Sequence, residues 1–212
     1  SKLQAYLDDY AYFVNALLDY FEIKPSKKYL DLAIYYANYL IDHFWDETHK
    51  NFFFTADNHE KLIIRTKSLY DLSLPSGNSV AAGVMLRLYH MTNEGKFLDV
   101  SLKLMESVAL MAAENPFGFG QLLNVVFMYL QKPVEITLVN PIDSQIRDYL
   151  LKKFIPEAIM VIISQKNDLE QLSNLQFFAG KEFDPDKTKV YVCRDFTCSL
   201  PLETLSDVAK LV

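Results

Sequence analysis

A chain of 212 residues, half of them hydrophobic, can bury a sizeable core and is not a disordered tail. Its net charge of -6 argues against a phosphate-backbone partner, which would need a basic face, so no nucleic-acid partner is expected. No apolar run reaches the roughly 18 residues of a membrane span, and two cysteines make no disulfide framework, so a cytoplasmic protein without a membrane partner is expected.

The chain opens at Ser1-Lys2-Leu3, inside an amphipathic helix and without a basic-then-apolar leader, the expected start of an excised segment. Leu3, Tyr6, Leu7, Tyr10, Phe13, Val14, Leu17, Leu18 and Phe21 recur at three- and four-residue steps, which predicts a first helix with one apolar face. Pro25-Ser26 opens a second, with Leu30, Ala33, Ala37, Leu40, Ile41 and Phe44 as its stripe. From Asp46 to Leu74 the periodicity stops. Residues 51–55 and 61–65 read there as two short strands around the turn 56–60, a predicted β-hairpin. Loops this long inside compact domains are usually functional, and this one is too apolar for disorder.

The run Leu74-Pro75-Ser76-Gly77-Asn78-Ser79-Val80-Ala81-Ala82 holds a turn, a cap and the first turn of a third helix, which runs to about Met91. Ser76 or Asn78 can offer a side-chain oxygen to the free amides at that helix start, a place that also attracts anions and polar ligands. After Thr92-Asn93 a fourth helix carries Phe97, Val100, Leu104, Val108 and Met111. Asn115-Pro116 stops it, and Leu122, Leu123, Val126, Phe127 and Leu130 mark a fifth. Past Pro133 the character changes. Residues 134–139 alternate like a strand, and Asp143 can cap a helix to about Lys153. The run 158–163 has buried-strand length, 189–193 is a further strand, and a helix from about Glu203 follows. Strand-helix-strand order predicts a small, mostly parallel sheet. The predicted organisation is therefore mainly α: about five antiparallel helices with a β-hairpin insertion over 1-132, then a small α/β domain over 133-212.

Short connectors make neighbouring helices antiparallel, and alternation then gathers polar and aromatic residues at one mouth. Asp9 and Asp71 are the candidate acid and base there, with Arg65 beside them as a catalytic anchor. Tyr10, Trp45 and Phe53 offer faces on which a sugar ring can stack, and Lys67, Ser76 and Asn78 offer polar contacts. Each alone reads equally as a cap or a surface ion pair, so the gathering carries the site. His43, His49, His59 and His90 show no metal-ligand spacing, and no metal or other cofactor is expected. There is no glycine-rich phosphate loop and no Gly-x-Ser-x-Gly elbow, which leaves nucleotide and serine-hydrolase chemistry without support. Cys193 and Cys198 lack the Cys-x-x-Cys redox spacing. Two buried free thiols are expected there, with a disulfide across the turn as the alternative.

Four stretches carry a resemblance. They are Tyr6-Leu7-Asp8-Asp9-Tyr10-Ala11, Phe44-Trp45-Asp46, Arg65-Thr66-Lys67 leading to Asp71 and Pro75-Ser76-Gly77-Asn78-Ser79-Val80, and Val192-Cys193 with Thr197-Cys198 and Pro201. In order and over nearly the whole chain they resemble the C-terminal part of the thioredoxin-domain-containing family of spermatogenesis-associated thioredoxin-like proteins. The resemblance implies a thioredoxin-like domain followed by an (α/α)6 toroid, similar to sugar 2-epimerases and six-hairpin glycosidases, and then a small α/β tail. This chain would hold a partial toroid and the tail. It departs from the family at Lys50-Asn51 and at Leu72-Ser73, where the family usually has glycines before the aromatic strand and Gly-Ala after the aspartate. Related epimerases use histidines for proton transfer, and none of the four here falls in a matched stretch.

The expected function is that of a fragment or split member of a carbohydrate-active family, with a small sugar as ligand at its mouth. Catalysis, if present, would be of the epimerase, isomerase or glycosidase kind. Two alternatives stand beside it. One is a non-catalytic assembly module that pairs as a homo-oligomer or with a missing N-terminal half. The other is a thiol-redox accessory protein working through Cys193 and Cys198.

Overall fold

The computed structural model describes residues 4–60, 63–194 and 197–212. In chain order its elements are α1 (Leu7–Ile23), α2 (Lys27–Phe44), β1 (Trp45–Asp46), β2 (Asn51–Phe52), α3 (Gly77–Thr92), α4 (Gly95–Glu114) and α5 (Gly120–Gln131). They continue with β3 (Val134–Val139), α6 (Ser144–Lys152), β4 (Ala158–Ile163), α7 (Lys166–Leu172), β5 (Lys189–Arg194), β6 (Thr197–Cys198) and α8 (Leu205–Leu211). Among the described residues no helix is long and apolar enough to cross a membrane.

The helices follow their apolar stripes. Leu7, Ala11, Val14, Leu18 and Phe21 of α1 are buried, as are Leu30, Ala33, Ala37, Leu40 and Phe44 of α2. On α3 burial runs almost around the helix, through Val80, Ala81, Ala82, Val84, Met85, Leu86 and Leu88. A helix apolar on all sides belongs in an interior.

The chain divides into two compact units. One comprises residues up to Leu18, Asp31–Tyr89 and Glu94–Phe127, and the other comprises Asp19–Leu30, His90–Asn93 and Met128–Val212. The first unit contains the long connection between α2 and α3. Its strand pair is shorter and earlier than the predicted hairpin: Trp45 pairs with Phe52 and Asp46 with Asn51, antiparallel. The Asp46 carboxylate explains the shift. Its Oδ1 accepts the amides of Thr48 at 2.8 Å and His49 at 3.3 Å, and its carbonyl accepts that of Lys50 at 2.8 Å. This turn, closed by Lys50 in the left-handed region at φ 57°, reverses the chain before residue 51 instead of after 55. Of the expected second strand, Lys61 and Leu62 lie outside the described residues, and 63–65 form no strand.

The second unit is built on a four-stranded sheet in the order β4-β3-β5-β6. β3 and β4 are parallel, joined through α6, but β5 runs antiparallel to β3 and β6 antiparallel to β5. The sheet is therefore mixed, which corrects the mostly parallel expectation. The register gives the reason. Val139 faces Ile163 on one side and Lys189 on the other, so β5 enters at the edge where β3 and β4 finish. The segment from α7 to Thr188 never crosses back over the sheet. Asn140 anchors it, in the left-handed region at φ 49°, by donating from Nδ2 to the carbonyls of Asp184 at 2.7 Å and Pro185 at 3.0 Å. The core of this unit includes Val134, Ile136, Leu138, Ile146, Leu150 and Val190.

The expected free thiols are also corrected. Cys193 and Cys198 face each other across β5 and β6 and form a disulfide. Their directly opposed positions on the paired strands bring the sulfurs together; spacing alone did not reveal the strand pairing.

Candidate functional site

Every predicted site residue belongs to the first unit, and the structure sorts them into three groups. The first group centres on Asp46. Its Oδ2 accepts from Lys67 Nζ at 2.5 Å and lies 2.8 Å from His49 Nδ1, while Oδ1 serves the two turn amides. The Lys67 ammonium, with those other donors, holds the Asp46 carboxyl far below the usual carboxylate range, against the opposing effect of burial. Lys67 Nζ also sits 4.5 Å from the centre of the Phe53 ring, and the Arg65 guanidinium carbon sits 4.1 Å from it. Phe53 is thus a half-buried ring flanked by two cations, each favoured by the negative face of the π system. Trp45, next to Asp46 and half-buried, packs edge-on against Phe52 at 4.9 Å.

Arg65 is tied down by backbone. Its Nε donates to the Thr55 carbonyl and one terminal nitrogen to the His43 carbonyl, both at 3.1 Å. Burial pushes its guanidinium below its ordinary pKa, with Asp57 and Asp46 opposing. Nearby, Asn51 Oδ1 and Thr55 Oγ1 are buried without a hydrogen-bond partner. Such groups cost free energy unless a small polar molecule satisfies them.

The second group surrounds the start of α3. Asp71 Oδ1 accepts the Ser76 amide at 2.8 Å, and its Oδ2 accepts the Gln121 amide at 2.8 Å. One carboxylate therefore serves the start of α3 and the start of α5. Ser76 caps α3 through its Oγ, which accepts the Ser79 amide at 3.1 Å. Asn78 is turned away from solvent. Its Oδ1 accepts the Phe52 amide at 2.8 Å, and its Nδ2 donates to the carbonyls of Phe52 at 3.1 Å and Ser68 at 2.9 Å. The side-chain amide stands in for a neighbouring strand at the edge of β2.

The third group lies on α1. Asp9 is exposed, and its Oδ2 accepts the Tyr6 amide at 2.9 Å, reaching back from the third helical position as the acid of a capping box does. Tyr10 packs among Tyr39, Phe44 and Tyr36 at centroid distances of 5.0, 5.6 and 5.8 Å. Burial, then the Tyr39 hydroxyl, raises its phenol above the ordinary value. The α1 residue that reaches the α3 start is Asp8, whose Oδ1 accepts the Gly77 amide at 3.1 Å. Burial raises its carboxyl, and that amide and Asp9 modify the shift.

Asp46, Asp8 and His49 are thus central to this region but were not among the sequence candidates. The signal for Asp46 was present: an aspartate just after a helix, with Thr two positions on, is the pattern of a side chain closing a turn on its own backbone. Asp8 differs from Asp9 by one helical position, which the stripe of α1 does not resolve.

No protein-family model matches the chain. Spermatogenesis-associated protein 20 of Homo sapiens is 24% identical, covering 98% of this chain and 27% of that protein. The protein of the same name from Rattus norvegicus is 23% identical with the same coverage. An uncharacterised protein of Caenorhabditis elegans is 22% identical over 99% of this chain and 29% of its own length. The chain spans about a quarter of the length of its mammalian relatives. Matching that runs along nearly the whole chain in each of them links it, as a distant homologue, to the spermatogenesis-associated protein 20 family.

Proposed function

We propose that this chain is the non-catalytic, ligand-holding part of a longer carbohydrate-active protein with a helical toroid, and that it binds a small sugar beside Asp46. One observation carries the reading: the candidate catalytic groups are already engaged by main-chain partners. Asp71 gives both oxygens to backbone amides, Asp9 gives one to Tyr6, and Arg65 holds two carbonyls. A general acid or base must reach a substrate proton, and the Asp71 carboxylate is spent on two helix starts, while Asp9 serves its own helix start with one oxygen. The residues beside Asp46 remain suited to binding, because half-buried Trp45 offers ring surface and the exposed His49 ring and the remaining N–H groups of Lys67 offer polar atoms at its edge.

Trp45 is the single tryptophan of the chain, so its fluorescence reports on this region alone. A panel of monosaccharides titrated against the chain should give a saturable change in that emission for at least one sugar, with no turnover. Lys67→Ala should weaken the response. A flat emission across the panel sinks the binding reading, and turnover of any sugar sinks the non-catalytic one.

A second reading, assembly, rests on a separate surface of the same unit. Leu110 is 82% exposed and Phe117 97% exposed. Near them lies an apolar groove of about 340 Å³ lined by residues that include Met105, Ala109, Ala112, Pro116, Leu122 and Leu123. Apolar surface of this kind marks association sites.

A further inference from the structure

The second unit contains a cavity of about 400 Å³ lined by Lys166, Leu169, Glu170, Ser173, Lys181, Glu182 and Phe183. That volume suits a small molecule. Lys166 is held by Glu170 at 3.4 Å on the exposed flank of α7. Lys181 is placed differently. Its Nζ donates to the Phe177 carbonyl and lies 5.0 Å from the centre of the Phe177 ring and 6.0 Å from that of Tyr191. The other charged groups around it are Glu135 on β3, paired with His90 at 2.9 Å, and Glu182, whose carboxylate lies 3.7 Å from Lys189. Both of these acids are therefore paired with another side chain. A lysine ammonium carries three protons and is strongly hydrated, so one carbonyl and two ring faces replace its water shell poorly.

We propose that Lys181 is an imine-forming amine, placed at this cavity to take a small aldehyde. The step balances without an added oxidant or reductant. The Nζ lone pair attacks the carbonyl carbon, the C=O π pair moves to oxygen, and a proton passes from nitrogen to that oxygen. The hydroxyl takes up a second proton, the nitrogen lone pair expels it as water to form the C=N bond, and the iminium nitrogen returns a proton to solvent. Leu169 and Phe183 supply an apolar wall for the aldehyde chain, and Ser173 supplies a hydroxyl within the same lining. Burial supports the chemistry independently of shape: it pushes the Lys181 ammonium down to about 8, with Glu135 opposing, which leaves a substantial neutral fraction near neutral pH.

The test is competitive labelling of the full chain with limiting propanal and sodium cyanoborohydride, which reduces the imine to a stable secondary amine, followed by peptide mapping. At about pH 7.5, Lys181 should be alkylated at least about tenfold faster than Lys166, which shares the cavity. Its rate should level off above about pH 8. Lys181→Arg should remove this one adduct and leave the others unchanged. Labelling of Lys181 no faster than Lys166, or a Lys181 rate that keeps climbing through pH 10 or so, overturns the proposal. The readout involves neither sugar binding nor Trp45, so its failure is separate from failure of the binding reading.

Discussion

Asn78 shows how far a single side chain can reach into a fold. Both of its polar atoms are bonded to β2, and it is 2% exposed. Asn78→Ala would strand the amide and carbonyl of Phe52 away from water, and each buried orphan costs about 1–3 kcal/mol. We expect a loss of about 3 kcal/mol in urea unfolding followed by Trp45 emission, and a loss under 1 kcal/mol or so would show that water fills the gap. Gly77 is constrained from the other side. A Cβ there would lie 2.3 Å from Asp8 Oδ1 and 2.7 Å from Leu7 Cγ, so Gly77→Ala forces α1 and the start of α3 apart and should cost about 1–3 kcal/mol. The residue scale was the least legible in the sequence. Pattern placed Ser76 and Asn78 at a helix start, and both are there. It could not show that Asn78 faces inward to a strand, because that strand follows from a turn set by Asp46, more than thirty positions earlier.

At the scale of elements, the turn at Asp46 makes a prediction with a definite sign. The folded carboxyl titrates below its unfolded value, so its contribution to stability is complete above about pH 4 and is lost as pH falls toward the folded value. Lys67→Met removes the largest cause of that shift. It should raise the pH midpoint of acid unfolding and reduce stability at neutral pH by about 2 kcal/mol, whereas an unchanged acid midpoint would show the pair to be energetically idle. In the second unit, the disulfide closes a short loop whose chain-entropy value is about 2 kcal/mol. Reduction should lower stability by no more than that and loosen the two-residue β6 first, as amide exchange at Thr197 and Cys198 would show. Helices α1 to α5 were legible because burial imposes a three-to-four-residue rhythm that survives in one sequence, whereas the seven-residue α7 was not predicted. Strand direction was not. Residues 134–139 and 189–193 each read as strands, but the sense of their pairing depends on where the segment after α7 re-enters the sheet, and that is fixed by Asn140 holding distant carbonyls.

For the whole molecule, the open question is what covers Leu110, Phe117 and the groove beside them. If a second copy does, light scattering during gel filtration should give twice the chain mass, and Leu110→Glu should return it to one. A monomer at all concentrations would set the assembly reading aside. The distant relatives bear on scale as well: they are nearly four times longer than this chain, so surface left bare here has much more polypeptide available to meet it in proteins of that length.

Asp71 joins two helix starts that are distant in sequence, and this has a kinetic consequence. The amides of Ser76 and Gln121 are held by opposite oxygens of one carboxyl group. Neither can be released by rotation of that group without disturbing the other. In hydrogen exchange the two amides should therefore open on a common clock, with matching protection factors and a shared response to temperature. Asp71→Asn, whose amide nitrogen can no longer accept, should uncouple them and leave one amide slow and the other fast.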